Sequence, residues 1–432
     1  MLLIYYMVLI NILAFVLYGA DKKKAEKDKF RIPESRLILV AALGGAYGAI
    51  LGMLVFRHKI RKNKFRITVP VLVALYTALM GYFLYNNYHL VTTEYTYESF
   101  EVPAELDGYT IVQISDLHNQ TFGLDESYLL DKIKESDPDI IVVTGDAVDI
   151  THTNYKITEN FFEGAVKIAP VYYITGNHEV WLSNINKTKF ENYIKTIEGY
   201  GVNFIDDTTL DIDGYTLAGV SDEKLGSTID LGLDDSGMEL NVTTDPINTS
   251  TDASDNTVTR DTEKVSDDRL VVLLAHEPDY LRYYDEAGAD LVLVGHNHGG
   301  QIVIPGKGGL VSADIEFFPE LCEGEHISGE TTMIISRGLG NSLFPCRINN
   351  YPEIVKVTLK REEHKLMHLY MPEVVGLDVD SAKKKLKDLG FFNIVLEYEE
   401  DEYAESGRVI KQSIPPDTTV STEFEIVLTI SD

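Results

Sequence analysis

Five short segments constrain the fold of this chain more than any other feature. Each is a run of β-prone apolar residues that ends on side chains able to bind a metal ion. They are Ile111-Val112-Gln113-Ile114-Ser115-Asp116-Leu117-His118, Ile140-Ile141-Val142-Val143-Thr144-Gly145-Asp146, Val171-Tyr172-Tyr173-Ile174-Thr175-Gly176-Asn177-His178, Val271-Val272-Leu273-Leu274-Ala275-His276 and Leu291-Val292-Leu293-Val294-Gly295-His296-Asn297-His298. Continuous apolar runs of this length read as strands buried on both faces. Helical stretches such as Glu126–Ser136, Glu191–Gly201 and Asp279–Ala289 separate them, and strand–helix alternation predicts an α/β sheet. In such sheets ligands gather beyond the carboxyl ends of the strands. All five polar clusters fall there, so they can converge across a spread of about 180 residues.

The resulting donor set is Asp116, His118, Asp146, Asn177, His276, His296 and His298. Imidazoles mixed with carboxylates suit Zn²⁺, Mn²⁺ or Fe²⁺ rather than Ca²⁺ or a thiolate-bound metal. Seven donors are too many for one tetrahedral ion. Two ions sharing one carboxylate, roughly 3.5–4 Å apart, would use them all. The glycines before Asp146, Asn177 and His296 are expected to let the backbone turn sharply at the strand ends. Each donor alone has a plainer reading: a buried histidine satisfied in a core, or an aspartate capping a turn. Five of the eleven histidines falling in these motifs outweighs that reading. His152, His326, His364 and His368 lack such a context and are expected at the surface.

The ordered set Asp116-Leu117-His118, Gly145-Asp146, Gly176-Asn177-His178-Glu179, His276-Glu277-Pro278 and Gly295-His296-Asn297-His298-Gly299-Gly300-Gln301 resembles the calcineurin-like metallophosphoesterases. The stretches Ser336-Arg337-Gly338-Leu339-Gly340 and Asn350-Tyr351-Pro352-Glu353 look like the membrane-associated branch of that superfamily. The resemblance implies an α/β four-layer sandwich over residues 91–361. It implies that Asp116, His118 and His298 hold one metal, that Asn177, His276 and His296 hold the other, and that Asp146 bridges them. It further implies attack on phosphorus, in line with the leaving oxygen, by a metal-bound hydroxide made available by a lowered pKa. His178 would be catalytic beside Asp146, stabilising phosphoryl charge and protonating the leaving group, with Glu179 orienting it.

Charge divides the chain. The net is −30, yet residues 1–90 hold 13 Lys and Arg against 4 Asp and Glu, a net of +9. The body therefore carries −39. That argues against nucleic acid as a partner, since phosphates need a basic face. Three apolar runs in the head, Leu2–Tyr18, Leu37–Phe56 and Ile67–Tyr85, are each near the length of a transmembrane helix. The first could be a signal peptide, but it lacks a basic start and a small-residue cleavage site, so it reads as retained. Gly44, Gly48 and Gly52 put a smooth stripe on one helix face, suited to close packing. The basic loop Arg57–Arg66 should stay in the cytoplasm, which places everything after Asn86 outside. Residues 21–36 are also basic, with four acids among them. Either those acids dilute the rule, or the second run is a re-entrant hairpin. Tyr18-Gly19-Ala20-Asp21-Lys22, Arg31-Ile32-Pro33-Glu34, Gly44-Gly45 and Phe56-Arg57-His58-Lys59 resemble a small bacterial membrane family of unknown function.

Residues of about 223–268 are rich in Asp, Ser, Thr and Asn and read as an acidic insertion, either a solvated loop or a lid. Cys322 and Cys346 are too few for a disulfide framework; they are either one bridge or two free thiols near the rim of the site. Residues 371–432 open a small α+β unit, with a helix carrying Ala382, Leu386 and Leu389, a stop at Gly390, and three strands. Met371-Pro372-Glu373-Val374-Val375-Gly376 and Val409-Ile410-Lys411-Gln412-Ser413-Ile414-Pro415-Pro416 resemble a PASTA domain. That family occurs outside Gram-positive cells, and some members bind peptidoglycan fragments. The expectation is a multidomain ectoenzyme, with N-terminal transmembrane helices, that cleaves a phosphoester or phosphoanhydride of a small-molecule, cell-wall or lipid-linked substrate. The rival expectations are a wall-binding sensor or scaffold with a silent metal site, and a head that itself transports or senses. The head has no acid at mid-span, which disfavours an ion relay.

Overall fold

The structure, a computed structural model, describes residues 2–212, 214–222, 269–313, 315–341, 346–362, 368–399, 404–422 and 424–431. It divides into two compact units, one of Met1–Tyr95, Thr110–Asp267 and Val271–Thr358, the other of Thr96–Tyr109, Asp268–Leu270 and Leu359–Asp432. The expected acidic insertion and His364 lie outside the described residues.

The larger unit begins with helices α1 (Leu2–Glu26), α2 (Glu34–Val40), α3 (Ala46–Val55) and α4 (Asn63–Tyr88). Three helical stretches, Tyr5–Glu26, Glu34–Val55 and Asn63–Tyr88, are long and apolar enough to cross a membrane by length and composition. The middle one is not straight. Leu43 and Gly44 leave helical geometry, and Gly44 takes φ 110°, which glycine adopts without a Cβ penalty. A straight helix of 22 residues would part its ends by about 33 Å. Yet Glu34 Oε1 lies 2.8 Å from Lys59 Nζ, beyond the far end. The chain therefore folds back, and α2 and α3 make a helical hairpin with its apex at Gly44. Gly44 lies against Met7 and Gly52 against Tyr18, so α3 runs parallel to α1. A Cβ at Gly48 would overlap the backbone of Asn11, and the Asn11 amide bonds Gly48 N–H (2.7 Å) and Gly44 C=O (2.9 Å). The glycine stripe thus permits close approach to α1. At the open end Asp21 accepts from Ile32 N–H (2.9 Å) and meets His58 Nε2 (2.7 Å) and Arg31 (3.3 Å). Both basic loops therefore lie at one end of the helices.

The rest of this unit is built on two six-stranded sheets. Its elements are β1 (Val91–Ser99), β2 (Thr110–Ile114), α5 (Ser127–Glu135), β3 (Ile140–Thr144), α6 (Tyr155–Ala165), β4 (Val171–Ile174), α7 (Asn177–Ile185), α8 (Lys187–Tyr200), β5 (Val202–Phe204), β6 (Thr208–Ile212) and β7 (Tyr215–Gly219). They continue with β8 (Val271–Leu274), α9 (Leu281–Ala287), β9 (Leu291–Val294), β10 (Val303–Ile304), β11 (Gly308–Gly309), β12 (Gly324–Ser328), β13 (Thr331–Ile335) and β14 (Glu353–Arg361). The sheet orders are β1-β14-β2-β3-β4-β5 and β12-β13-β9-β8-β7-β6. The strands β2 to β5 are parallel, as are β7, β8, β9 and β13. The five apolar runs are β2, β3, β4, β8 and β9, and β2, β3, β8 and β9 are buried along their whole length. Strand alternation by face does not apply to them because both faces meet protein. Gln113, fully buried on β2, donates to Thr144 Oγ1 (2.9 Å) and to Val294 C=O (2.8 Å) on β9, so one side chain pins the two sheets together.

The smaller unit contains β15 (His368–Tyr370), α10 (Val379–Asp388), β16 (Ile394–Glu399), β17 (Val409–Gln412), β18 (Thr419–Ser421) and β19 (Ile426–Ser431). Its three-stranded sheet has the order β16-β19-β17, and β15 pairs with β18. Asp378 caps α10 by accepting from Ser381 N–H (2.8 Å), a bond typically worth about 1 kcal/mol. Gly390, at φ 95°, ends the helix as expected. Leu389 is 44 % exposed rather than part of the core, and Phe391 fills that place. Cys322 and Cys346 are both free thiols.

Candidate metal centre

All seven expected ligands follow a parallel strand at its carboxyl end. Asp116 and His118 follow β2, Asp146 follows β3, Asn177 opens α7 after β4, His276 follows β8, and His296 and His298 follow β9. Ligand atoms of Asp116, His118 and His298 lie mutually within 4.8 Å, as do those of Asp116, Asp146 and His276. Asp146 occupies the middle. Its Oδ2 lies 3.4 Å from His118 Nε2 and 3.4 Å from His276 Nε2. Its Oδ1 accepts from His178 N–H at 2.9 Å. Asn177 therefore sits between two residues whose backbones touch Asp146 or its loop.

The sharp turns are made largely by the expected ligands themselves. Asp116, His118, Asp146, His296 and His298 all have φ between 45° and 69°. Side-chain-bearing residues rarely adopt this region, and such strain gathers at functional sites. Of the three glycines expected to turn the chain, only Gly145 has positive φ, at 85°. Gly176 and Gly295 are required for space instead. A Cβ at Gly176 would overlap the Asp146 carboxylate, and one at Gly295 would overlap Ser115 Oγ and the Asp116 carboxylate.

The donors fit a cation. His276 Nδ1 bonds Thr144 C=O at 2.8 Å, so that nitrogen carries the proton and Nε2 presents a lone pair. That lone pair faces the Asp146 carboxylate, two acceptors at a distance that only a shared cation or proton makes favourable. His118 Nε2 faces His298 Nε2 at 3.1 Å, and His276 Nε2 faces His296 Nδ1 at 3.3 Å. The side-chain oxygen of Asn177 is buried with no hydrogen-bond donor among the described residues. A buried unpaired oxygen costs about 1–3 kcal/mol, which a metal bond would relieve.

Electrostatics separate the histidines. For His118, burial disfavours the charged ring, but Asp149, Asp146 and Asp116 outweigh burial and raise its pKa. Burial, then His118 and Arg347, push His298 well below the usual value. Burial lowers His178. Its Nδ1 accepts from Ile150 N–H at 3.1 Å, which leaves the proton on Nε2, 3.9 Å from Asp146 Oδ2.

Glu179 does not orient the His178 ring as expected. Its carboxylate accepts from the backbone N–H groups of Asp146 (2.8 Å), Val148 (2.8 Å) and Gly176 (3.0 Å). It positions Asp146 by holding the loop that carries it. The reason is reach: on the first turn of α7 the glutamate points back at the strand ends.

Several contributors lie outside the expected set of site residues. Asp149 Oδ2 lies 3.5 Å from His118 Nδ1 and directs the other ring nitrogen inward. Arg347 is fully buried, donates to Gly340 C=O (3.1 Å) and Arg337 C=O (2.9 Å), and lies 3.5 Å from His298 Nδ1. Asn350 donates to His298 C=O at 2.7 Å, and the ion pair Arg337–Glu353 at 2.7 Å braces the loop beneath Asp116. The motif residue Asn350 carried no assigned role, and Asp149 and Arg347 reach the site only through the fold. His152 is 79 % exposed and His368 exposed, while His326 is half-buried against Glu323 C=O. Asp149→Asn should lower metal affinity by about 10–100-fold, the usual cost of losing a carboxylate behind a ligand histidine. Isothermal titration of the metal-stripped full chain measures this; unchanged affinity would remove Asp149 from the site.

A cleft of about 460 Å³ lies beside the end of β4, lined by Thr175, Ser183, Glu191, Lys195, Asp206 and Asp207. None of the seven expected ligands lines it.

Comparison with known proteins agrees with this geometry. Family models match as calcineurin-like phosphoesterase at residues 109–300, PASTA domain at 369–432, and a protein family of unknown function (DUF1294) at 11–65. The chain is similar to the uncharacterized metallophosphoesterase YkuE of Bacillus subtilis, 31 % identical over 286 residues, covering 65 % of this chain and 89 % of that protein. Its head is similar to the uncharacterized protein YsdA of Bacillus subtilis, 43 % identical over 81 residues, covering 19 % and 91 %. It is also similar to a transmembrane protein with metallophosphoesterase domain of Danio rerio, 23 % identical over 272 residues, covering 60 % of this chain and 55 % of that one.

Proposed function

The chain belongs to the metallophosphoesterase family of phosphoester hydrolases, and on that premise we propose that it works through two metal ions at the outer face of a membrane. One observation carries the two-metal reading: a single oxygen, Asp146 Oδ2, stands 3.4 Å from an imidazole of each half of the donor set. Asp116, His118 and His298 would hold one ion and Asn177, His276 and His296 the other, with Asp146 between them. Bound there, the ions would lower the pKa of a water nucleophile and neutralise phosphoryl charge. The chain's own residues place these groups. Glu179 fixes the Asp146 loop, Asp149 aims His118, and Gly295 leaves room for Asp116. His178 presents Nε2–H toward the centre, so it supplies a hydrogen bond to a phosphoryl oxygen. Its Nδ1 is already occupied by Ile150 N–H, which favours that role over donating a proton to the leaving group.

The domain limits we propose are 1–90 for the anchor, 91–361 for the hydrolase, built as a four-layer sandwich, and 371–432 for the PASTA domain. In the anchor, α1 and α4 cross the bilayer and the α2–α3 hairpin enters and returns. This topology puts both basic loops in the cytoplasm, as the positive-inside rule asks, and the hydrolase outside. The clustering of Asp21, Arg31, Glu34, His58 and Lys59 at one end supports it. The substrate would be a phosphoester or phosphoanhydride of the cell wall or of a lipid carrier, and the PASTA domain would engage wall fragments.

Protoplasts of a Gram-positive host expressing the full chain test both parts. Given Mn²⁺ and a membrane-impermeant chromogenic phosphomonoester or phosphodiester, intact protoplasts should release product, and a chelator should stop release. Product only after lysis would put the site inside. Metal binding without turnover of either ester, nor of lipid-linked wall precursors, would move the assignment to a binding scaffold.

A further inference from the structure

Asn297 stands between two ligands, His296 and His298, and its amide grips both feet of a loop. Its Nδ2 donates to Leu321 C=O at 2.7 Å, and its Oδ1 accepts from Ala313 N–H at 3.3 Å. Around the first foot the chain turns back on itself. Ser312 N–H bonds Glu316 C=O (2.9 Å), Phe318 N–H bonds Leu310 C=O (3.0 Å), and Val311 bridges to Phe317. The turn displays apolar side chains. Ile315 is 65 %, Phe317 66 % and Phe318 46 % exposed, and Ile315 and Phe318 both take positive φ, uncommon for β-branched or bulky residues. Three large apolar side chains held out beside a metal centre, at a cost in backbone strain, point to a partner.

The membrane helix identifies that partner. The last turns of α4 belong to the hydrolase as much as to the anchor. Asn86 Oδ1 accepts from Asn349 N–H (2.8 Å), Asn87 Oδ1 accepts from Arg347 N–H (3.0 Å), and Tyr82 O–H donates to Asn349 (2.6 Å). Ile348 and Asn349 in turn bond Val303 at 2.9 and 3.3 Å, on β10, which pairs with β11 just before the apolar loop. Hydrogen bonds thus link the end of the membrane helix, the loop and the ligand His298. Tyr82, Tyr85 and Tyr88 fit this level of α4 to the aromatic belt of a bilayer surface, and Leu84 and Tyr85 are half exposed there. The domain touches α4 at Tyr82, within that belt.

We infer that the loop carrying Ile315, Phe317 and Phe318 inserts into the outer leaflet of the same membrane, so that the metal centre faces the lipid surface and takes a phosphate ester presented there. The inference rests on the membrane-anchored hydrolase reading, but its physical test does not need turnover. The full chain is reconstituted in lipid nanodiscs. It has one tryptophan, Trp181, so wild type sets the baseline for a Phe317→Trp variant. Lipids brominated near the headgroup should quench the added emission about twofold or more, as expected for a side chain at that depth. Quenching no greater than the Trp181 baseline overturns the inference. So does a concentration-dependent blue shift without lipid quenching, which would mean a second copy covers the loop. In activity, Phe317→Ser with Phe318→Ser should leave a water-soluble ester within twofold and lower turnover of a lipid-linked phosphate in nanodiscs about tenfold. Equal loss on both substrates also overturns it. If no ester is hydrolysed by wild type, the hydrolase reading fails while the bromolipid result still decides the insertion.

Discussion

Asp146→Asn should abolish metal-dependent hydrolysis, lowering kcat at least about 1,000-fold, equivalent to about 4 kcal/mol of transition-state stabilisation. The reason is charge and position together. Only Asp116 and Asp146 are anionic among the seven donors, so the substitution halves the carboxylates available to two divalent ions. Asp146 Oδ2 also stands 3.4 Å from an imidazole of each half of the site. The amide keeps the size, and one terminal atom can still accept from His178 N–H, so the loop should stay folded. The checks are metal content by elemental analysis and kcat of the purified full chain in detergent. Wild type should hold two ions per chain and the variant fewer. Turnover within tenfold of wild type would sink the bridging role.

The second large effect is steric. Gly295→Ala puts a methyl group where Ser115 Oγ and the Asp116 carboxylate already stand. Neither can retreat easily. Ser115 Oγ donates to Thr144 C=O at 3.2 Å, and both Asp116 oxygens accept from His296 N–H at 3.2 Å. The methyl must displace Asp116 or part the two sheets at their carboxyl ends. Overpacking of this kind costs about 1–3 kcal/mol. Activity should fall by at least about 100-fold, since about 1 Å of misplacement can cost that much. Gly81→Ala in α4 is the control, because among the described residues nothing lies within 4 Å of its added Cβ. Thermal melting of both variants, with turnover, separates the cases. A Gly295→Ala chain that melts and hydrolyses like wild type would show that the sheet ends are looser than this packing.

Both effects are partly legible in the amino-acid sequence. The seven donors and the strand ends that carry them can be read because each is a local pattern, an apolar run followed by polar residues. The order of anchor, hydrolase and small C-terminal unit is legible for the same reason, since composition changes at each border. What each glycine does is not. Gly176 and Gly295 read as turn residues, yet their task is to leave space for atoms from other strands. Glu179 reads as a partner for its neighbour His178, but a side chain on the first turn of a helix reaches back across the sheet ends instead.

The local pattern of residues is enough to specify the chemistry: which side chains can bind metal, that parallel strands bring them to one edge, and that the head is apolar enough for a membrane. The atoms that meet are chosen only by the closed fold. It selects Asp149 rather than a nearer residue to aim His118. It brings Arg347 and Asn350 to His298, and ties Arg347 to the end of α4. It folds residues 34–55 back on themselves, which run length alone leaves open. The physical reason is range. Periodicity and turn chemistry report a residue's neighbours within a few positions. A contact across 260 residues, such as Asn87 with Arg347, leaves no trace in either sequence neighbourhood and exists only once both sheets have closed.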